Sequence, residues 1–220
     1  MALTKYNWNS FDVTPVASRA LGFNSDADGL TSIVGTNLVL IKTLTASSSA
    51  TLDFVDGSSD VVLDNTYPIY KFDFINIHPA TDGAKFQFNL SVDTGSNYNV
   101  TKTTTFFHAL HDEADGSALV AQAAARDLAQ STSDQVLLWE ADNDADSNVT
   151  GSMYLFDPSS TTFVKHFLSV TSGVTNSTTE GNQYVAGYGN DTSAVDAVRF
   201  QFNSGNIDAG SIKLYGLKDS

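Results

Sequence analysis

Two acidic stretches carry the spacing with which a calcium loop opens. In FNSDADGL (23 to 30), Asn24, Asp26 and Asp28 stand at alternate positions and Gly29 follows at once. Oxygen ligands at the first, third and fifth positions, with a glycine for the sharp turn, are how such a loop surrounds Ca²⁺. EADNDADSN (140 to 148) repeats the spacing with Asp142, Asp144 and Asp146. The bidentate glutamate that completes the loop is missing from both: its place is taken by Gly35 in the first and Met153 in the second, where Ser147 also replaces the glycine. Asp-x-Asp-Gly is at the same time ordinary turn chemistry, because Asp side chains bond the local backbone and Gly accepts positive φ. The pattern favours turns and leaves weak calcium binding by Asn24, Asp26 and Asp28 open.

Histidines offer a second route to chemistry. FFHALHDE places His108 and His111 three apart, just before Asp112 and Glu113. The preceding TKTTTFF reads as strand, and strand residues three apart point to opposite faces, so the pair is poorly placed to share one ion. His78, before Pro79, and His166, in an alternating segment, read as structural or surface residues. There is no cysteine, so disulfides, thiolate nucleophiles and cysteine-based metal sites are excluded. No nucleophile elbow, phosphate loop, dinucleotide fingerprint or H-E-x-x-H occurs, and no carboxylate pair stands out by spacing, so a non-enzymatic protein is expected. Aromatic rings can stack on sugars. Trp8, Trp139, Tyr184 and Tyr188 are the candidates, with Tyr184 and Tyr188 of EGNQYVAGYGN the candidate glycan-binding residues; Trp139, in the apolar QVLLWEA, reads as core.

The elements that must hold these residues are strands. YKFDF (70 to 74) sets Tyr70, Phe72 and Phe74 against Lys71 and Asp73, KFQFNLSV (85 to 92) alternates through Phe86, Phe88, Leu90 and Val92, and VRFQFN (198 to 203) through Val198, Phe200 and Phe202. Further strands are expected at 37–44, 50–55, 100–110, 135–141, 152–156, 162–170, 183–188 and 211–217, separated by turn signals such as DGSSD, TDG, DTGSN, DPSS and SGNIDAG. One segment departs from the pattern: SALVAQAAARDLAQ (117 to 130) is alanine-rich, lacks Gly and Pro, and predicts a short α-helix. The expected fold class is all-β, an antiparallel β-sandwich or jelly roll with that one helix. No linker tract divides the chain, so residues 19–220 are expected to form a single domain.

Composition narrows the partners. With 25 acidic against 11 basic residues the net charge is −14, which repels phosphate backbones and argues against nucleic acid. No apolar run approaches the ~18 residues of a membrane span, and MALTKYNWNSFDV has no apolar core of a signal peptide. Synthesis in a cytosol is expected.

Four blocks together resemble a family of tailed-bacteriophage structural proteins frequent in marine phages. They are IKTLTASSSATLDFVDG (41 to 57), YPIYKFDFINIHPATDGAKFQFNLSVDTGSNYN (67 to 99), LFDPSSTTFVKHF (155 to 167) and AVDAVRFQFNSGNIDAGSIKLYGLK (194 to 218), with SGNIDAGSIKLYGL the most diagnostic. The resemblance implies a β-sandwich or jelly-roll protein on the virion surface, made in the cytoplasm of a bacterial host, and supplies no catalytic residues. No heptad run or fibrous repeat marks a tail-fibre shaft, so a capsid decoration or cement protein is the leading expectation. On that reading the partners are the major capsid protein or other virion proteins and, from lattice symmetry, further copies in a homotrimer. MALTKYNWNSFDVTPVAS (1 to 18) is the candidate docking arm, through Tyr6, Trp8, Phe11 and Val13, with an edge strand of the same domain as the alternative. A tail-attached module binding a host glycan, and a carbohydrate-binding module of a secreted enzyme, are the competing readings. No cofactor is expected beyond the calcium left open above.

Overall fold

Almost every segment with alternating apolar and polar residues forms a strand. The structure is a computed structural model that describes residues 19–23, 30–34, 37–175 and 178–219. The chain divides into two units, Met1–Asn37 and Leu38–Ser220. In the first, β1 (Arg19–Phe23) pairs antiparallel with β2 (Leu30–Val34), Phe23 opposite Leu30. The calcium candidates Asn24, Asp26 and Asp28 and the docking candidates Tyr6, Trp8, Phe11 and Val13 lie outside the described residues.

The second unit is all-β. Its strands are β3 (Leu38–Thr45), β4 (Leu52–Val55), β5 (Ile69–Pro79), β6 (Ala84–Ser91), β7 (Lys102–Asp112), β8 (Ala118–Gln122), β9 (Gln135–Ala141), β10 (Val149–Phe156), β11 (Lys165–Thr175), β12 (Thr179–Gly189), β13 (Ala197–Phe202) and β14 (Ile207–Leu217). They pair antiparallel in a sandwich-like arrangement. The larger layer runs β3-β14-β5-β10-β11-β12-β7-β8 and the smaller β9-β6-β13-β4. A single residue pair, Thr175 with Ala141, links the two through β11 and β9.

Phenylalanines fill the space between the layers. Tyr70, Phe72 and Phe74 of β5, Phe86 and Phe88 of β6, and Phe200 of β13 are all buried, while Lys71 and Asp73 on the other face of β5 pair at 2.8 Å. The Phe200 ring lies 5.2 Å from both Phe72 and Phe74 across the interface, and 6.0 to 6.4 Å from Phe54, Phe86 and Phe88 of its own layer. A bulge tunes the fit. Asn76 has φ 51°, the pairing of β5 with β14 slips there, and Ile77 as well as Phe74 faces inward. Gly210 sits opposite at φ 104°, and a Cβ there would stand 2.3 Å from the Asn76 carbonyl oxygen, so this end of the diagnostic SGNIDAG segment requires glycine.

The helix expected over 117–130 is absent. Ala118–Gln122 is β8, and only Ala124–Arg126 coils, as one 3-10 turn. The chain reverses directly out of β7: Asp112 Oδ1 accepts the Gly116 N–H at 2.7 Å and Asp115 takes φ 57°, which lays β8 beside β7 with Leu119 opposite Leu110. Asp127 then accepts the Phe106 N–H at 2.7 Å and the Gln122 amide at 3.0 Å, closing the other end. An isolated alanine-rich helix of this length is marginal in water, whereas a ladder on an existing strand forms bonds at once.

Truncating Phe200 to Ala is expected to cost about 3–5 kcal/mol in urea unfolding, with Phe200→Leu costing roughly 1–2 kcal/mol. A loss under about 1 kcal/mol for Phe200→Ala would show that the cluster is not what joins the layers.

Candidate functional site

The outer face of the larger layer carries apolar residues where a solvated face is ordinarily polar. On β11, Phe167 points inward while His166, Leu168 and Val170 point out, and on β12 Val185 points inward while Tyr184, Ala186 and Tyr188 point out. β7 adds Thr103, Thr105 and Phe107. Register aligns them in rows across the three strands: Val170, Tyr184 and Phe107; Leu168, Ala186 and Thr105; His166, Tyr188 and Thr103. Leu168 is 51% exposed, Phe107 44%, Val170 40% and Tyr184 37%. The Phe107 and Tyr184 rings stack at 4.7 Å, within 3° of parallel, and the His166 and Tyr188 rings lie 5.7 Å apart. Between the rows runs a shallow groove of about 550 Å³ over Ala186 and Gly187, walled by Leu168, His166, Tyr188 and Phe156.

Tyr184 and Tyr188 therefore share one face, as candidate glycan-binding residues would need to. Their neighbours Phe107, Leu168 and Val170 were not picked out by sequence reasoning. The signal was present in FVKHFLSV, where Phe167 and Leu168 are apolar at both parities, so one of them had to face out. The smaller layer presents the contrast. There Arg199 forms a bidentate pair with Asp53 at 2.9 and 2.8 Å and lies 3.8 Å over the Tyr98 ring, while Gln201 donates to Asp134 at 2.9 Å. Its polar groups are matched to one another.

The histidine and acidic candidates occupy separate places. His108 is buried and His111 exposed, on opposite faces of β7 as the strand period requires. His108 packs edge-on to Trp139 at 5.3 Å, the Arg126 guanidinium lies 4.5 Å over the Trp139 ring, and Gln183 Oε1 accepts the Trp139 backbone N–H at 2.8 Å. Burial, with the Arg126 charge, pushes the His108 pKa down. Trp139, expected as core, is half-buried and packs against the core from this side. Asp142 is spent on its own turn: it accepts the Ser147 hydroxyl at 2.7 Å and the Asp144 N–H at 3.3 Å, while Asp144 and Asp146 are exposed. Among the described residues no three His, Asp or Glu side chains are grouped to hold a metal ion. Nor is any helix among them long and apolar enough to cross a membrane.

Lys102 and Lys165 are both buried charges, and Lys102 is the one whose pKa falls furthest. Lys102 opens β7 on the same inward parity as Phe106, with its Nζ donating to Asn89 Oδ1 and, at 2.8 Å, to the Val100 carbonyl. Burial drives its pKa down to about 8, with Asp134 opposing the fall.

Comparison with protein-family models, with curated proteins and with solved structures finds no match to this chain. The described residues form an all-β, sandwich-like fold with an apolar outer face on β7, β12 and β11.

Titration separates the buried groups. Between about pH 8 and the ordinary lysine value of 10.5, the unfolded chain holds a proton on Lys102 that the folded chain has lost, so stability rises with pH across that window. Burial and the nearby Asp53 charge push the Tyr98 pKa up to about 12, and burial with Asp64 raises Tyr70 further still. Above the ordinary tyrosine value of 10 the folded chain holds protons the unfolded chain has lost, and stability falls again. Urea unfolding is expected to show a gain on the order of 2 kcal/mol between pH 8 and 10, then a decline. Lys102→Met should reduce the rise to what Lys165, whose pKa burial also lowers, contributes, and leave the decline; an unchanged rise in that variant would take the assignment away from Lys102.

Proposed function

We propose that this is a non-enzymatic virion surface protein of a tailed bacteriophage that acts by binding, most directly as a capsid decoration protein, with the outer face of β7, β12 and β11 as its contact surface. The observation that carries the binding role is the run of exposed apolar side chains Phe107, Leu168, Val170 and Tyr184 in adjoining register. Contiguous apolar surface of this kind is costly to leave in water and marks interaction sites. The virion setting is supported by the resemblance of the four sequence blocks, and the capsid over a tail fibre by the lack of a heptad run or fibrous repeat within these 220 residues. Docking of this face would bury apolar area across capsid subunits, and a standard interface of about 1,600 Å² would link its occupancy to particle stability by mass action.

A second reading rests on a different feature of the same face. The parallel Phe107–Tyr184 pair and the groove beside Tyr188 offer flat aromatic surface to a pyranose ring, which favours a tail-attached module that binds a host glycan.

Immunogold labelling of intact particles with antibodies to the purified chain separates the two, with label over heads expected. Label confined to tails would overturn the decoration role and leave the glycan reading, and no label would count against both. The chain carrying Leu168→Asp and Val170→Asp should keep its circular dichroism and lose at least about tenfold in association with heads that lack the protein. Undiminished association would move the contact off this face. Tyr184→Ala should abolish retention on host glycan only if the second reading holds.

A further inference from the structure

Among the described residues the larger layer ends at β8, which pairs with β7 alone. The Asp112 N–H donates to Ser117 O at 3.0 Å and the Ala123 N–H to Phe106 O at 3.0 Å, with Leu119 opposite Leu110 and Ala121 opposite His108 between them. In an antiparallel ladder the bonded residues alternate. Ser117, Leu119, Ala121 and Ala123 therefore turn their backbone groups to β7, and Ala118, Val120 and Gln122 turn theirs to the open edge. Natural edge strands are ordinarily blunted by a lysine, a proline, a bulge or a covering segment. ALVAQ has no charge and no proline, its register with β7 is unbroken, and Val120 is 78% exposed.

We propose that this edge is a self-association site: β8 pairs antiparallel with β8 of a second copy of the chain, about a two-fold axis at Val120. The spacing of the free groups suits a copy of itself, because Val120 then faces Val120 and Ala118 faces Gln122, which uses all three open residues of each strand in about six hydrogen bonds. Charge selects the direction. The turn between β7 and β8 holds Asp112, Glu113 and Asp115, whereas the other end of β8 is followed by Arg126 and Asp127, whose charges offset. Antiparallel pairing sets each acidic turn toward that balanced end of the other copy, whereas parallel pairing would set the acidic turns of two chains, each of net charge −14, side by side. A two-fold axis normal to the sheet also leaves both Phe107–Tyr184 faces on the same side, so the dimer presents two contact faces in one plane. This inference stands on the edge alone and does not depend on what the outer face binds. It adds a two-fold contact and does not generate the trimer that lattice symmetry implies.

Sedimentation of the full chain from about 10 μM to about 1 mM is the test, since a strand of this length should associate on the order of 100 μM. The wild type should shift from monomer to dimer. Val120→Pro, which removes an N–H that β7 does not use, should stay monomeric with unchanged circular dichroism and melting temperature. Because the chain has no cysteine, Val120→Cys gives a second readout. Facing residues of a bonded pair lie about 5.5 Å apart at Cα, within disulfide reach. That variant should oxidise to a covalent dimer at least about tenfold faster than Phe163→Cys, at a site 69% exposed on another surface. A wild type monomeric throughout, an oligomer of any size that survives Val120→Pro, or equal oxidation of the two cysteine variants would each overturn the proposal.

Discussion

Phe200 is the centre of the ring cluster on which the two layers meet, beside the direct pairs Phe54–Phe72, Phe74–Phe86 and Phe88–Phe167. It comes from the smaller layer, touches Phe72 and Phe74 of the larger one, and sits among Phe54, Phe86 and Phe88. Ring edges on ring faces gain roughly 0.5–1.5 kcal/mol per pair beyond area burial, and here several pairs share one partner. The cluster also fixes register. Moving β13 by one residue would bring Arg199 and Gln201 inward and separate Arg199 from Asp53. Strand order, the Asn76 bulge and the glycine at 210 are the backbone adjustments that let the rings meet.

A filled interior has a consequence for the outside. Once Phe167, Val185 and Phe106 occupy the inner face of β11, β12 and β7, apolar residues of the other parity can only face out. Stability of the isolated unit gives Leu168, Val170, Phe107 and Tyr184 no reason to be apolar. The smaller layer shows what a solvated face looks like in this chain, with Arg199, Asp53, Gln201 and Asp134 bonded to one another. The two faces differ in kind, and the binding role proposed for this one is a reading of that apolar exposure. Inside, Lys102, whose pKa burial lowers, is tolerated because Asn89 Oδ1 and the Val100 carbonyl accept hydrogen bonds from its Nζ.

Much of this was legible in the sequence, and for a physical reason. Strands read cleanly where one parity is apolar and the other polar, as in YKFDF, KFQFNLSV and VRFQFN, and these became the core of β5, β6 and β13. Tyr184 and Tyr188 were recognised as aromatic surface, and the structure places both on one outer face. The 117–130 segment misled because alanine is a strong helix former in isolation, while the tight turn at Asp112–Gly116 and the capping carboxylate of Asp127 are tertiary facts that composition does not carry. Lys102 and Phe107 were hidden for a similar reason. In TKTTTFFHAL neither parity is uniformly apolar, so alternation alone does not say which side is inside.

The central claim, that the outer face of β7, β12 and β11 is the surface this protein binds with, is tested most directly by hydroxyl-radical footprinting of the chain free and on intact particles. The account predicts that Phe107, Leu168 and Tyr184 lose reactivity on the particle while Tyr98, beside Arg199 on the opposite layer, keeps its own. Full reactivity of all three on the particle, with protection at Tyr98 instead, would contradict it.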